Sequence, residues 1–397
     1  MAKKEKEVEE VKTDLDELTA DLIKNINSDH EDNIAYDLSK DDSPTNITSW
    51  ISTGSKLLDY IISKRFYDGG IPAGRITEIF GPPSIGKSHL AIQVAKSAQK
   101  KGALVVYIDT ENATSKENLQ LLGVNLKGLA YVQPNCTEDV FKTIESTINK
   151  AKALNKDVPI LVIWDSVAGT SPKAEIDGEY DQSTIGLQAR TLSKGFRKIT
   201  GIIGFNKVTF LCLNQTRMKI GVMFGDPTTT PGGQALPYHA SVRIKLGAGD
   251  HIKEGAEKDS KVIGINVRAE TIKNKVSSPF RKCEFSIHFG VGINEEEQVY
   301  DLIEGNGEEL IDGNIVLIKN AGAWKKFSVI EEKTKKTIID ENFRRTDFQD
   351  LMTKYSKYLS PLFEKACVKK YNSSTEISPN SLLSVEAVKL LQKEQDR

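Results

Sequence analysis

RITEIFGPPSIGKSHLAIQVAKSAQKK, Arg75 to Lys101, decides the fold. It opens as a short apolar run with strand character, turns through GPPSIGKS (Gly81–Ser88), and continues as a helical pattern. The turn fits G-x4-G-K-[ST], a spacing that lets backbone N–H groups point inward around a phosphate. The helix that follows adds the partial positive charge of its N-terminus. Strand, turn and helix in this order predict a nucleotide-phosphate site made of Gly81, Pro82, Pro83, Ser84, Ile85, Gly86, Lys87, Ser88 and His89. Lys87 is placed to bridge β- and γ-phosphates, and the Ser88 hydroxyl to ligate Mg2+.

On either side of this stretch, continuous apolar runs alternate with helical patterns, the signature of a parallel sheet covered by helices. ALVVYID (103–109), PILVIWD (159–165) and TFLCLNQ (209–215) join RITEIF as expected central strands, with helices near 88–100, 138–154 and 187–201. Later strands are expected at 240–246, 262–272 and 282–289. Asp165 ends one run and is positioned to hold a Mg2+ hydration shell, with Ser166 in the same shell. Glu111 lies two residues past another strand end, where a carboxylate can polarise the water that attacks a γ-phosphate. Asp109, nearer the strand, reads as structural. Residues 1–47 form a helix with an apolar stripe (Val8, Val11, Leu15, Leu18, Leu22, Ile26) followed by a polar linker. Residues 48–293 form the core, and 294–397 a small mixed α/β domain.

The charge is unevenly spread. Residues 1–45 hold six lysines against fourteen acidic residues, a net of −8, which leaves +7 for the rest of a chain whose formal total is −1. Residues 182–225 contain no Asp or Glu but do contain Arg190, Lys194, Arg197, Lys198, Lys207, Arg217 and Lys219, a pattern expected of a polyanion-binding surface. Four scattered cysteines without a CxxC pair suggest neither a zinc site nor a disulfide framework, and Cys212 reads as a buried small hydrophobe. With no long apolar run and a charged N-terminus, the expected location is cytoplasmic: nucleoid-associated, or the host cytoplasm for a virus-encoded protein.

One stretch obeys no helix or strand period past Phe224: NQTRMKIGVMFGDPTTTPGGQAL (214–236). It and SPKAEIDGE (171–179) are highly specific, and with STGSKLLDYI (52–61) and HFGVGIN (288–294) they resemble the bacterial and phage RecA family of ATP-dependent DNA strand-exchange proteins. The resemblance implies a RecA-like P-loop ATPase core that polymerises as a helical filament on single-stranded DNA and pairs it with duplex, using ATP and Mg2+, in recombination, repair and the SOS response. It implies two DNA loops, near 177–186 and 216–233. Ile185 and Ile220 would wedge between bases, Arg190, Arg197, Arg217 and Lys219 would meet phosphates, and Gly232 and Gly233 would bring backbone N–H groups to the DNA. Gln215 would sense the γ-phosphate. Lys273 and Lys275, two cations with the same facing on a strand, would reach the neighbouring subunit's γ-phosphate as an arginine finger does elsewhere. Phe289 and Gly290 would cover the adenine. Arg243 is open between DNA contact and a buried carboxylate pair. Mediator and single-strand-binding proteins are expected partners.

Departures accompany the resemblance. Ser115 and Asn118 stand where the family commonly carries an Asp and a Tyr around adenine, Asn112 replaces a His, and the chain ends KLLQKEQDR without a strongly acidic tail. This drift fits a divergent member, a virus-encoded one included. Two alternatives use the same core: a hexameric helicase, which usually supplies an arginine rather than Lys-x-Lys to its neighbour, and an ATP-gated DNA-coating scaffold without turnover, disfavoured by the intact Lys87, Ser88, Glu111 and Asp165.

Overall fold

The computed structural model describes residues 2–371 except 31–32, 40–42, 44, 66, 156, 180–183, 185, 219–227, 256–259 and 294, with backbone alone at 2–14, 296–297 and 371. The chain divides into two compact units, Met1–Thr48 and Ser49–Arg397.

In the first unit a single helix runs Ala2–Ser28, longer than the striped stretch at 8–26. Leu15, Leu18 and Leu22 are each more than half exposed. The segment read as a plain linker is tied to the helix end. Asn27 Oδ1 accepts from the N–H groups of Ile34 and Ala35, both at 2.9 Å, and its Nδ2 donates to the Ala35 carbonyl at 2.9 Å.

The second unit is built on a nine-stranded sheet. Its spatial order is Gly292–Ile293, Lys282–His288, Lys261–Asn274, Val242–Glu254, Ile76–Gly81, Thr209–Gln215, Ile160–Asp165, Leu104–Asp109 and Leu129–Val132. From Val242–Glu254 through Leu129–Val132 all pairings are parallel; the remaining strands continue antiparallel. The fold is α/β with a mainly parallel sheet flanked by helices, as expected for runs that are apolar on both faces. Helices Thr137–Leu154 and Leu187–Phe205 lie on one side, where Phe141 stands edge-on to Trp164 and Phe196 at 5.6 and 5.4 Å. Fully burying each such ring is worth about 2–3 kcal/mol. Cys212 is fully buried in this core.

Beyond the large sheet, helix Glu295–Asn306, an antiparallel sheet of four strands between Glu309 and Phe343, and helices Phe348–Lys354 and Ser356–Tyr371 complete the described chain. Phe363 packs edge-on against Tyr60 of helix Lys56–Ser63 at 6.0 Å. Gln298 links Ser55 and the carbonyl of Ser286.

Candidate functional site

Parallel strands with helices returning behind them bring their C-terminal ends, and the loops that follow, to one edge of the sheet. Gly81, Asp109, Asp165 and Gln215 are the last residues of four neighbouring strands at that edge. The phosphate loop leaves at Gly81 and enters helix Lys87–Lys100. Gly86 caps that helix at φ 90°, and a Cβ there would lie 2.5 Å from Ile287 Cδ1, so the turn demands glycine twice over, by dihedral and by space. Pro82, Pro83 and Ser84 are exposed on the loop, and Ile85 is buried beneath it.

Lys87 Nζ donates to the carbonyls of Gly81 and Pro82 at 3.1 and 2.7 Å. Burial lowers its pKa, against the opposing pull of Asp165 and Glu111. Asp165 is buried, which raises its pKa; hydrogen bonds from Ser88 and Tyr107 lower it, and Glu111 and Asp109 raise it. Tyr107 donates to Asp165 Oδ2 at 2.8 Å. The Ser88–Asp165 contact puts a hydroxyl and a carboxylate together beside the Lys87 ammonium, a donor set that fits a hard divalent cation bound with a polyphosphate. His89 follows on the first turn, its Nε2 buried without a partner and its pKa lowered by burial.

Glu111 is exposed at this edge. Its Oε1 accepts from Gln215 Nε2 at 2.9 Å and from Ser166 Oγ. Ser166 therefore serves Glu111 rather than the group around Asp165 where it was expected. Asp109 is committed elsewhere: Oδ1 accepts from Glu111 N at 3.0 Å, and Oδ2 from Thr114 N at 2.9 Å and the Tyr131 hydroxyl at 2.6 Å. Those bonds hold the loop that presents Glu111. The arrangement leaves one carboxylate facing solvent with a second oxygen available to a water, and one carboxylate spent on architecture.

Ser115 is the N-cap of helix Lys116–Leu121, accepting from Asn118 N at 3.1 Å, which accounts for a serine at that position. Phe289 is exposed; a Cβ on its neighbour Gly290 would lie 3.6 Å from Leu121 Cδ2. Leu121 is itself 64% exposed.

Behind Gln215 the chain forms a short ribbon, Arg217–Met218 against Thr228–Thr229, a pairing the aperiodic sequence did not suggest. Arg217 is exposed and lines a polar cleft of about 360 Å³ together with Thr184, Gln188, Gly232 and Gly233. Thus residues from both expected DNA loops share one cavity. Gly232 sits at φ 88°, and a Cβ there would come within 2.4 Å of Leu192 Cδ1, so packing on helix Leu187–Phe205 already requires it. Arg190 and Arg197 are exposed on that helix, whereas Lys198 pairs with Glu145 at 2.6 Å. Ile185, Lys219 and Ile220 lie outside the described residues.

Two other expectations change. Strand Lys261–Asn274 ends before Lys275, so Lys273 and Lys275 do not share a strand face. Asn274 Oδ1 accepts from Val276 N and Ser277 N, a turn that stops the strand. Lys273 Nζ donates to the carbonyls of Pro237 and Tyr238 at 2.6 and 3.0 Å, and its pKa is lowered to about 8 by burial, Lys275 and Arg243. Arg243 pairs with Glu78, settling its open reading in favour of the buried carboxylate. Among the described residues no helix is long and apolar enough to cross a membrane.

Comparison with known proteins agrees with this geometry. The model of the RecA N-terminal domain matches residues 18–294. Protein RecA of Borrelia turicatae is 44% identical over 71% of this chain and 72% of its own length. That of Symbiobacterium thermophilum is 41% identical over 70% and 73%, and that of Borrelia hermsii 39% over 76% and 82%. With its phosphate loop, the Glu111–Gln215 contact and the two loop bases on one sheet edge, this chain belongs to the RecA family of recombinases.

Proposed function

We propose that the protein polymerises on single-stranded DNA and catalyses homologous pairing and strand exchange, driven by ATP binding and by DNA-dependent ATP hydrolysis. The observation that carries the reading is the Glu111–Gln215 hydrogen bond, because it joins the nucleotide side of the sheet edge to the last strand residue before the loop that holds Arg217. Lys87 and the loop N–H groups hold the phosphates; Ser88 and Asp165 would hold Mg2+, which screens phosphate charge when bound. Glu111, fixed by Ser166, takes the proton of the attacking water at its outer oxygen. Gln215 leaves Glu111 for the γ-phosphate and so moves the loop base. Arg190, Arg197, Arg217 and Lys219 neutralise DNA phosphates, and Ile185 and Ile220 separate bases.

Lys273 and Lys275 act across the subunit boundary on the neighbour's γ-phosphate. The exposed Leu15, Leu18 and Leu22 make helix Ala2–Ser28 a self-association element for the adjacent protomer. Electron microscopy with and without single-stranded DNA and ATP tests the reading. The expected result is open helical filaments that need both ligands, and few or none from a chain lacking residues 1–30. Closed rings would favour the helicase alternative and overturn the proposal.

A further inference from the structure

Glu78 is a carboxylate in the middle of a central strand and is fully buried. Such a charge is costly unless paired, and the simplest account is a structural ion pair with Arg243, whose guanidinium also lies over the Phe80 ring at 4.9 Å. The surroundings go further than that. Glu78 Oε1 accepts from Asn214 Nδ2 at 3.1 Å, while Oε2 takes Arg243 Nε. Asn214 is itself fully buried and immediately precedes Gln215. Its Oδ1 accepts from the Gln215 backbone N–H at 3.0 Å, and its Nδ2 also faces the Pro231 carbonyl at 3.4 Å, on the returning limb of the second loop.

On the same face as Asn214, strand register places Cys212, Glu78, Arg243 and Lys273 in one row across four adjacent strands. Burial, Lys275 and Arg243 all disfavour the Lys273 ammonium; Glu78 favours it. One buried carboxylate therefore touches the residue before the nucleotide sensor and the arginine beside Lys273. Through Asn214 it also meets the limb on which the second loop comes back.

We propose that Glu78, acting through Asn214, is a positioning residue. It couples the state of Gln215 to the second loop at Pro231 and to the strand that presents Lys273. This rests on the functional reading above. When the Gln215 side chain exchanges Glu111 for a phosphate, its backbone N–H shifts against Asn214. The Asn214 amide, with hydrogen bonds on both its atoms, carries the shift to Pro231 and to Glu78. A purely structural ion pair would stabilise every nucleotide state equally; a coupling residue changes the difference between states.

The test is the ratio of single-stranded DNA dissociation constants in ADP and in a non-hydrolysable ATP analogue, measured on the full chain. Glu78→Gln keeps the shape and removes the charge. Glu78→Gln with Arg243→Met removes both charges, so no unpaired ion is left buried, and serves where the single variant folds poorly. Both are expected to bind nucleotide within about threefold of wild type and to bring the ratio at least about tenfold closer to one. In a double-mutant cycle, adding Gln215→Asn to Glu78→Gln should change the ratio little further, because the charge that anchors Asn214 is already gone. A folded variant that keeps the wild-type ratio, or binds DNA more weakly by the same factor in both states, overturns the coupling role alone. A wild-type chain with equal DNA affinity in the two states overturns the functional reading together with it.

Discussion

Replacing Glu111 with Gln isolates basicity from geometry. Oε1 of Glu111 already accepts from Ser166 and Gln215, and a glutamine carbonyl can accept both bonds unchanged. What changes is the outer oxygen, which becomes an amide that cannot take a proton. Lys87, Ser88 and the phosphate loop make their contacts elsewhere, so nucleotide affinity should stay within about twofold. Loss of a positioned general base costs about 10²–10⁴ in rate, or about 3–5 kcal/mol of activation free energy. Because the water, the phosphates and the neighbouring charges remain in place, we expect the lower half of that range, about 10²–10³. Phosphate release at saturating ATP and single-stranded DNA measures it directly, with fluorescent-nucleotide titration as the binding control. Asp109→Asn is the comparison. Its two oxygens are filled by Glu111 N, Thr114 N and Tyr131, so the amide must lose an acceptor and loosen the loop. Its signature is lower thermal stability, by about 1–3 kcal/mol, with a hydrolysis defect smaller than that of Glu111→Gln. Hydrolysis within tenfold of wild type in Glu111→Gln, with binding intact, would refute the assignment of the base.

Arg217→Ala should weaken single-stranded DNA binding about equally across sequences and reduce the log–log salt slope by about one phosphate contact; an unchanged slope would remove Arg217 from the backbone contacts. Lys273→Ala with Lys275→Ala should keep nucleotide binding but lose DNA-dependent hydrolysis, and mixing it with Lys87→Ala protein should restore part of the rate; verified mixed filaments without rescue would contradict action in trans. Burial raises Asp59 from 3.8 to about 6 against the hydrogen bonds of Ser52 and Thr53, and Glu295 raises it further. The folded state thus binds the proton more tightly than the unfolded state. Stability is greatest below the lower value and falls by up to about 3 kcal/mol as pH rises through the window. Urea unfolding at pH 4.5 and 7 should show this slope reduced in Asp59→Asn, and equal slopes in the two proteins would exclude Asp59 as its source.

The phosphate loop was legible because its geometry restricts residue type at fixed spacing, and the central strands because burial on both faces leaves continuous apolar runs. Tyr107 and Asp165, 58 residues apart, could not be paired from sequence, since strand order alone makes them neighbours. The same holds for Glu78 with Asn214 and Arg243, separated by 136 and 165 residues. A single acid inside RITEIF was the available signal, and it says only that a partner must exist. Lys275 was misplaced because a two-residue period has no internal mark of where the strand stops; the stop is the Asn274 side chain turning back on the chain. The ribbon at Arg217–Met218 is short, and two-residue strands leave no periodicity to read.

Homologous strand exchange by this protein is tested most directly by pairing circular single-stranded DNA with homologous linear duplex and following joint molecules and nicked circles by gel electrophoresis. Wild-type protein with ATP and Mg2+ should convert the substrates to nicked circles, whereas Lys87→Ala protein or heterologous duplex should yield none. Filaments that form and hydrolyse ATP yet give no joint molecules with homologous duplex would contradict it.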